Sequence, residues 1–92
     1  MIYILIPLYN DWEALGLLLR RFDETVEPSL RSRMRFAVVN DGSSAGPAPG
    51  QFSAWPVEVI HLNRNVGHQK AIALGLAFLT QEREFEAVVV MD

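Results

Sequence analysis

The 92-residue chain predicts a three-layer α/β fold, a Rossmann-like parallel sheet with a helix on each face. Three observations carry that reading. Four short apolar runs, at residues 2–6, 36–39, 57–62 and 87–91, each close near Pro, Asn, Gly or Asp, as strands do. Between the first two runs, and again between the last two, apolar residues recur at helical spacing. Unbroken hydrophobicity, as in Val88-Val89-Val90, suits a parallel strand covered on both faces. The order β-α-β-loop-β-α-β, closed by right-handed crossovers, then gives a parallel sheet.

Each element has a local reason. After the first strand, Asn10 is the expected N-cap of a helix, with Glu13 three residues on as a near-capping box. Trp12, Leu15, Leu18, Leu19, Phe22 and Val26 then form one apolar face, and Pro28 prevents continuation. Residues 42–56 hold Gly42, Gly46, Pro47, Pro49 and Gly50 and read as a loop with at most one irregular turn. The third run alternates in polarity and reads as an edge strand, with His61 as a partly exposed edge residue. A second helix is predicted over 67–81, its face of Ala71, Leu74, Gly75 and Phe78 small enough to lie close on a sheet. No internal repeat or low-complexity tract interrupts this order.

Composition narrows the function classes. Half of the residues are hydrophobic, which places the chain among globular proteins and suits one domain. Eight basic against eleven acidic residues give a formal charge of −3, so nucleic acid is not an expected partner. Arg20, Arg21, Arg31, Arg33 and Arg35 gather locally and read as a solvated helix end and loop. The absence of cysteine excludes a disulfide framework and a thiolate metal site. The apolar opening lacks the basic flank and length of a signal peptide, and no stretch approaches a membrane span. The expected location is the cytoplasm, or the cytoplasmic face of a membrane if the parent protein carries membrane segments further on.

In open parallel sheets ligands bind beyond the carboxyl ends of the strands. That rule collects four polar stretches: Pro7-Leu8-Tyr9-Asn10-Asp11, Asn40-Asp41-Gly42-Ser43, Asn63-Arg64-Asn65 and Asp92. Asp41 on its turn can accept hydrogen bonds from a nucleobase imide or amide, or can simply make an Asx-turn. Tyr9 can stack on a base or cap the core. Asp11 can bond a ribose or favour the helix start. The helix beginning Gly67-His68-Gln69-Lys70 directs amides and a cation outward, as suits phosphate, although His68 can instead serve only the helix start. Asn40 has no evident independent role. Asp92, just past a buried valine strand, is a suitable ligand for Mg²⁺ or Mn²⁺, with substrate diphosphate and further oxygens completing the shell. No G-x-G-x-x-G follows the first strand, and neither a P-loop nor a G-x-S-x-G elbow occurs.

Taken in order, IPLYND, VVNDGSS, NRNVGHQKAIALGLAFL and VVVMD resemble the amino-terminal half of family 2 glycosyltransferases, inverting enzymes of the GT-A fold that use nucleotide-sugars. NVGHQKAIALGL is most similar to the branch that transfers sugars to polyprenyl phosphates, such as dolichyl-phosphate mannosyltransferase. The resemblance implies that Pro7, Tyr9 and Asp11 line the nucleoside pocket and that Asp41 bonds the base. It implies that Asp92 is the first acid of a D-x-D motif, contacting ribose or the divalent metal that bridges the diphosphate. UDP- or GDP-sugar is the implied donor, and a polyprenyl phosphate a possible acceptor. Two departures stand out: Asn40 occupies the first of two positions that are commonly acidic, and the loop after Ser44 lacks the usual helix-forming continuation.

On this reading the 92 residues are the donor-nucleotide half of a transferase, cut at the first acid of D-x-D, and contain no catalytic residue. They are expected not to turn over alone. The expected strand order, 3-2-1-4, leaves the last strand unpaired on its outer side and prone to self-association. Two alternatives stay open. A sugar-1-phosphate nucleotidylyltransferase shares the general sheet but opens on a glycine-rich basic loop, which Pro7-Leu8-Tyr9-Asn10 is not. A non-catalytic nucleotide-binding or protein-interaction module is equally compatible with the fold alone.

Overall fold

The first strand, β1 (Ile2–Leu8), runs two residues past its apolar stretch and through Pro7. A computed structural model describes residues 1–47, 52 and 55–91. Its helices are α1 (Trp12–Thr25), the single turn α2 (Pro28–Arg31) and α3 (His68–Glu82). The remaining strands are β2 (Met34–Asn40), β3 (Val57–His61) and β4 (Ala87–Val90). Among the described residues the strands form one parallel sheet in the order β3-β2-β1-β4, as the sequence predicts.

Pro7 sits in a central strand, where a missing donor ordinarily costs a ladder bond. Its position removes that cost. Ile2 N–H donates toward the β2 side, to Arg33 O, whereas Leu5 O accepts from Met91 N on the β4 side. Odd positions of β1 therefore face β4, and at Pro7 the pairing with β4, which ends at Leu5↔Val90, is already over.

The two faces of the sheet bury different side chains. Ile4, Ile6, Leu8, Phe36 and Val38 point toward Trp12, Leu15 and Leu19 of α1. Tyr3, Leu5, Ala37 and Val39 point toward Ala71 and Leu79 of α3. Phe36, Leu5, Leu79, Val38 and Val39 are fully enclosed, and each such side chain contributes about 1.5–3 kcal/mol of hydrophobic stabilisation. The α1 face matches the sequence pattern. The α3 face differs from it: Leu74 is exposed and Leu79 takes its place, so the contact stripe is Ala71, Gly75 and Leu79 at successive fourth positions. A Cβ on Gly75 would lie 2.6 Å from Val39 Cγ2 and 2.8 Å from Leu5 Cδ1, which shows how closely the helix rests on the sheet.

Three further differences have local causes. Asp11, not Asn10, caps α1, accepting from Ala14 N at 3.2 Å. Pro28 ends one helix and begins another, occupying the first turn of α2, where no amide partner is needed. The expected loop over 42–56, part of which lies outside the described residues, carries a core residue in Trp55. That ring packs edge-on against Phe36 at 5.1 Å, donates Nε1–H to Leu19 O at 3.0 Å and lies beneath the Arg31 guanidinium.

The outermost strand is the least covered. Val88 packs on the α3 side, but Val89 and Val90 are 47% and 41% exposed, so the expectation of cover on both faces fails for β4 among the described residues. Among the described residues its outer edge has no neighbour in the sheet order, as the sequence predicts.

Candidate functional site at the strand carboxyl ends

The last residues of β1 and β2 open onto the start of α3. Pro7, Leu8, Tyr9, Asp41, Asn65, Gly67 and His68 line a cleft of about 320 Å³ there. Larger clefts of about 450 and 410 Å³ lie beside Tyr3, Arg35 and Arg83 at the opposite end of the sheet and along the outer surface of α1. We place the site in the smaller one, because three sequence-selected residues, Pro7, Tyr9 and Asp41, meet in it at the strand ends where parallel sheets bind ligands.

Asp41 organises this end of the molecule. It is 3% exposed, and its carboxylate faces the loop that enters α3. Oδ1 accepts from Val66 N at 2.8 Å; Oδ2 accepts from Gly67 N at 3.1 Å and from Asn65 Nδ2 at 3.2 Å. The Asp41 carbonyl accepts from the same Asn65 amide at 3.1 Å. A negative group at this position also complements the positive end of α3. The local side-chain bond in this turn comes from Asn40, whose Oδ1 accepts from Ser43 N, three residues on, at 3.1 Å. Asn40 Nδ2 lies 3.0 Å from His61 Nδ1, and donating to it requires that nitrogen to be unprotonated. Asn40 therefore has a definite role, contrary to the sequence reading, and His61 is an exposed residue of an edge strand as expected.

Gly42 makes the junction possible. It adopts φ +72°, and a Cβ there would lie 2.3 Å from Asn65 N and 2.5 Å from Arg64 C. Only glycine lets the turn after β2 rest on the backbone of the loop before α3.

Asn10 and Asp11 divide the work at the end of β1. Asn10 takes a left-handed conformation, φ 59°, which Asn tolerates better than most residues. Its N–H donates to Ser43 Oγ at 2.8 Å, and its Oδ1 accepts from Ser44 N at 2.8 Å and Ser44 Oγ at 3.1 Å. Asp11 is exposed and is not among the residues lining the cleft. Tyr9 is 56% exposed, so it does not cap the core. Asp92 lies outside the described residues. Among the described residues no three of His, Asp and Glu gather as a cation site.

The opposite end of the sheet is held by charge. The Arg33 guanidinium donates to Glu86 at 2.6 Å, and together with the amino terminus at 3.5 Å it holds that carboxyl below its usual range. The hydrogen bond to Glu58 raises the Arg83 guanidinium above its ordinary value. Arg31 pairs with Asp23. Of the arginines gathered in the sequence, Arg31 and Arg33 thus go to different partners. No described helix is long and apolar enough to cross a membrane.

Asn40 ends β2, Asn10 stands two residues past β1 and Asn65 three before α3, and each spends its side chain on the fold, as short polar side chains near strand and helix ends can do. The parallel sheet and its strand order are those expected of the fold that the sequence resemblance implies. A family model described as Glycosyl transferase family 2 matches residues 3–92, nearly the whole chain. The chain belongs to glycosyl transferase family 2.

Proposed function

We propose that the cleft beside Pro7, Tyr9 and Asp41 holds the nucleoside of a nucleotide-sugar, and that the protein serves sugar transfer with inversion. One observation carries the reading: in a chain of a glycosyltransferase family, three residues chosen from sequence for nucleoside contact line one cleft with the start of α3. The exposed Tyr9 ring stacks on the base, and Asp41 accepts a hydrogen bond from it. Asp11 caps α1 through Oδ1 and offers its other oxygen to a ribose hydroxyl. The amino end of α3 faces the diphosphate. Family members generally work with a divalent metal; here Asp92 is the proposed ligand, and Mg²⁺ or Mn²⁺ would stabilise charge on the departing diphosphate. In this reading residues 1–92 hold the donor, and the base that deprotonates the acceptor belongs to another part of the transferase. These residues alone bind without turning over.

The NVGHQKAIALGL stretch supports a polyprenyl-phosphate acceptor, and with it a place at the cytoplasmic face of a membrane. The unpaired edge of β4, with Val89 and Val90 exposed, supports self-association of the 92-residue chain. Light scattering at high concentration checks this, and a monodisperse monomer counts against it. Titration calorimetry with UDP and GDP, with and without Mn²⁺, tests the main reading. Binding of neither would leave the non-catalytic interaction module as the better account.

A further inference from the structure

We infer that the cleft at the amino ends of the strands is a second binding site, which takes the carboxylate of a small organic monoanion with an apolar body. It is separate from the strand-end cleft and independent of the nucleotide reading. At about 450 Å³ it is the larger of the two, and Tyr3, Arg35, Pro56, Val57, Glu58 and Arg83 are among the residues that line it. Tyr3 and Arg35 are register partners on β1 and β2. Side chains alternate along a strand, so both lie on the α3 face with Ala37. Glu58, the partner of Ala37 on β3, shares that face.

The two arginines of this cleft are used unequally. Arg83 is spent on the fold: Nε and Nη2 donate to the two oxygens of Glu58, and Nη1 donates to Glu82 O at 2.8 Å. Arg35 is half-buried, yet its one hydrogen bond is long, from Nη1 to Met34 O at 3.4 Å, and it meets no acid among the described residues. The remaining positions of the chain add no acid except Asp92. Every other described arginine is either paired, as Arg31 and Arg33 are, or exposed, as Arg20, Arg21 and Arg64 are. A half-buried charge without a counter-ion is costly, and the guanidinium fork is matched best by the paired oxygens of a carboxylate or phosphate. The Tyr3 hydroxyl is a second donor. Tyr3 is 7% exposed and its hydroxyl has no partner among the described residues, where no side-chain polar atom is both buried and unpartnered, so that hydroxyl reaches solvent. Two features favour a monocarboxylate over a phosphate. Only one cation lacks an anion, and a dianion would place a second negative charge beside Glu58. Pro56 and Val57 give the cleft an apolar side for the body of the ligand.

Nuclear magnetic resonance titration of the isotope-labelled full chain at fixed ionic strength tests this, with benzoate, its neutral analogue benzamide and the dianion phenyl phosphate as probes. Benzoate is expected to shift the Arg35 Nε–H and the amides of Val57 and Glu58 saturably, and to bind at least about tenfold tighter than either comparison compound. Arg35→Gln should weaken benzoate at least about tenfold, and Tyr3→Phe, which keeps the ring, roughly threefold. Arg21→Gln, on the exposed side of α1, should leave it unchanged. Benzamide or phenyl phosphate binding as tightly as benzoate overturns the inference. So does an absence of saturable shifts, shifts centred on Arg20, Arg21 or Arg64, or benzoate affinity indifferent to Arg35→Gln. If circular dichroism shows that Arg35→Gln does not fold, Tyr3→Phe and the ratio of benzoate to benzamide affinity in the unaltered chain decide.

Discussion

The two ends of the sheet are held by different physics. At the carboxyl ends, short polar side chains bind backbone: Asp41 holds Val66 and Gly67, Asn40 holds Ser43, Asn10 holds Ser44, and Ser43 Oγ holds Asn10 N. At the amino ends, long charged side chains pair with each other in solvent, as in Arg33 with Glu86 and Arg83 with Glu58. Exposed pairs of the second kind are individually weak, because water screens them and two flexible chains must be ordered. Side chains of the first kind fix main-chain geometry, and their loss leaves buried donors unmet. A site that must present amides and one carboxylate at set positions needs the first kind. At the other end such pairs only have to hold the elements together.

That contrast is open to measurement. The largest effect is expected from Asp41→Ala, which strands two backbone donors and the Asn65 amide. It should cost about 3–5 kcal/mol in denaturant unfolding. A loss below about 1 kcal/mol would mean the loop before α3 does not depend on this carboxylate. Gly42→Ala comes next, at about 2–4 kcal/mol, since it combines a positive φ with a backbone contact that must open. Its hydrogen exchange should rise at residues 64–67, and protection there equal to the parent's would refute the close junction. Asn10→Ala is expected to cost about 1 kcal/mol, with the nuclear magnetic resonance shifts of Ser43 and Ser44 moving most.

The smallest effect belongs to the other end. Glu86 has a folded-state carboxyl held below its ordinary value of 4.5 by Arg33 and the amino terminus. Its contribution is therefore present above the unfolded value and is lost as pH falls through the folded one. Glu86→Gln should leave stability near pH 7 little changed and make the acid limb, below about pH 4.5, slightly shallower. A loss as large as that of Asn10→Ala would break the comparison between the ends.

Much of this was legible in the chain because it is written in short-range pattern. The β-branched runs at residues 36–39 and 87–91 mark strands by composition, and the spacing from Trp12 to Phe22 marks a helix by period. The strand-end rule brought Pro7, Tyr9 and Asp41 together before any coordinates did. The misses depend on contacts distant in sequence. Asn10 and Asp11 are both good N-caps, and the choice falls to Asp11 because Asn10 Oδ1 is already taken by Ser44, more than 30 residues away. Asp41 was read as facing a ligand, and nothing local shows that most of its acceptor capacity serves residues 65–67. Leu74 and Leu79 fit the apolar pattern of the same helix, and only the approach of Gly75 to Leu5 and Val39 decides which of them is buried.

Pro7 has a consequence for the shape of the site. The chain moves outward from β1 to β2 and β3 on one side and to β4 on the other, so β1 and β4 flank the point where winding reverses. Met91 N still donates to Leu5 O there, but the next rung would need an N–H at position 7, and proline has none. At this height β1 therefore offers no backbone donor toward the β4 side. Tyr9, two residues further along the chain, stands open to solvent just past that level.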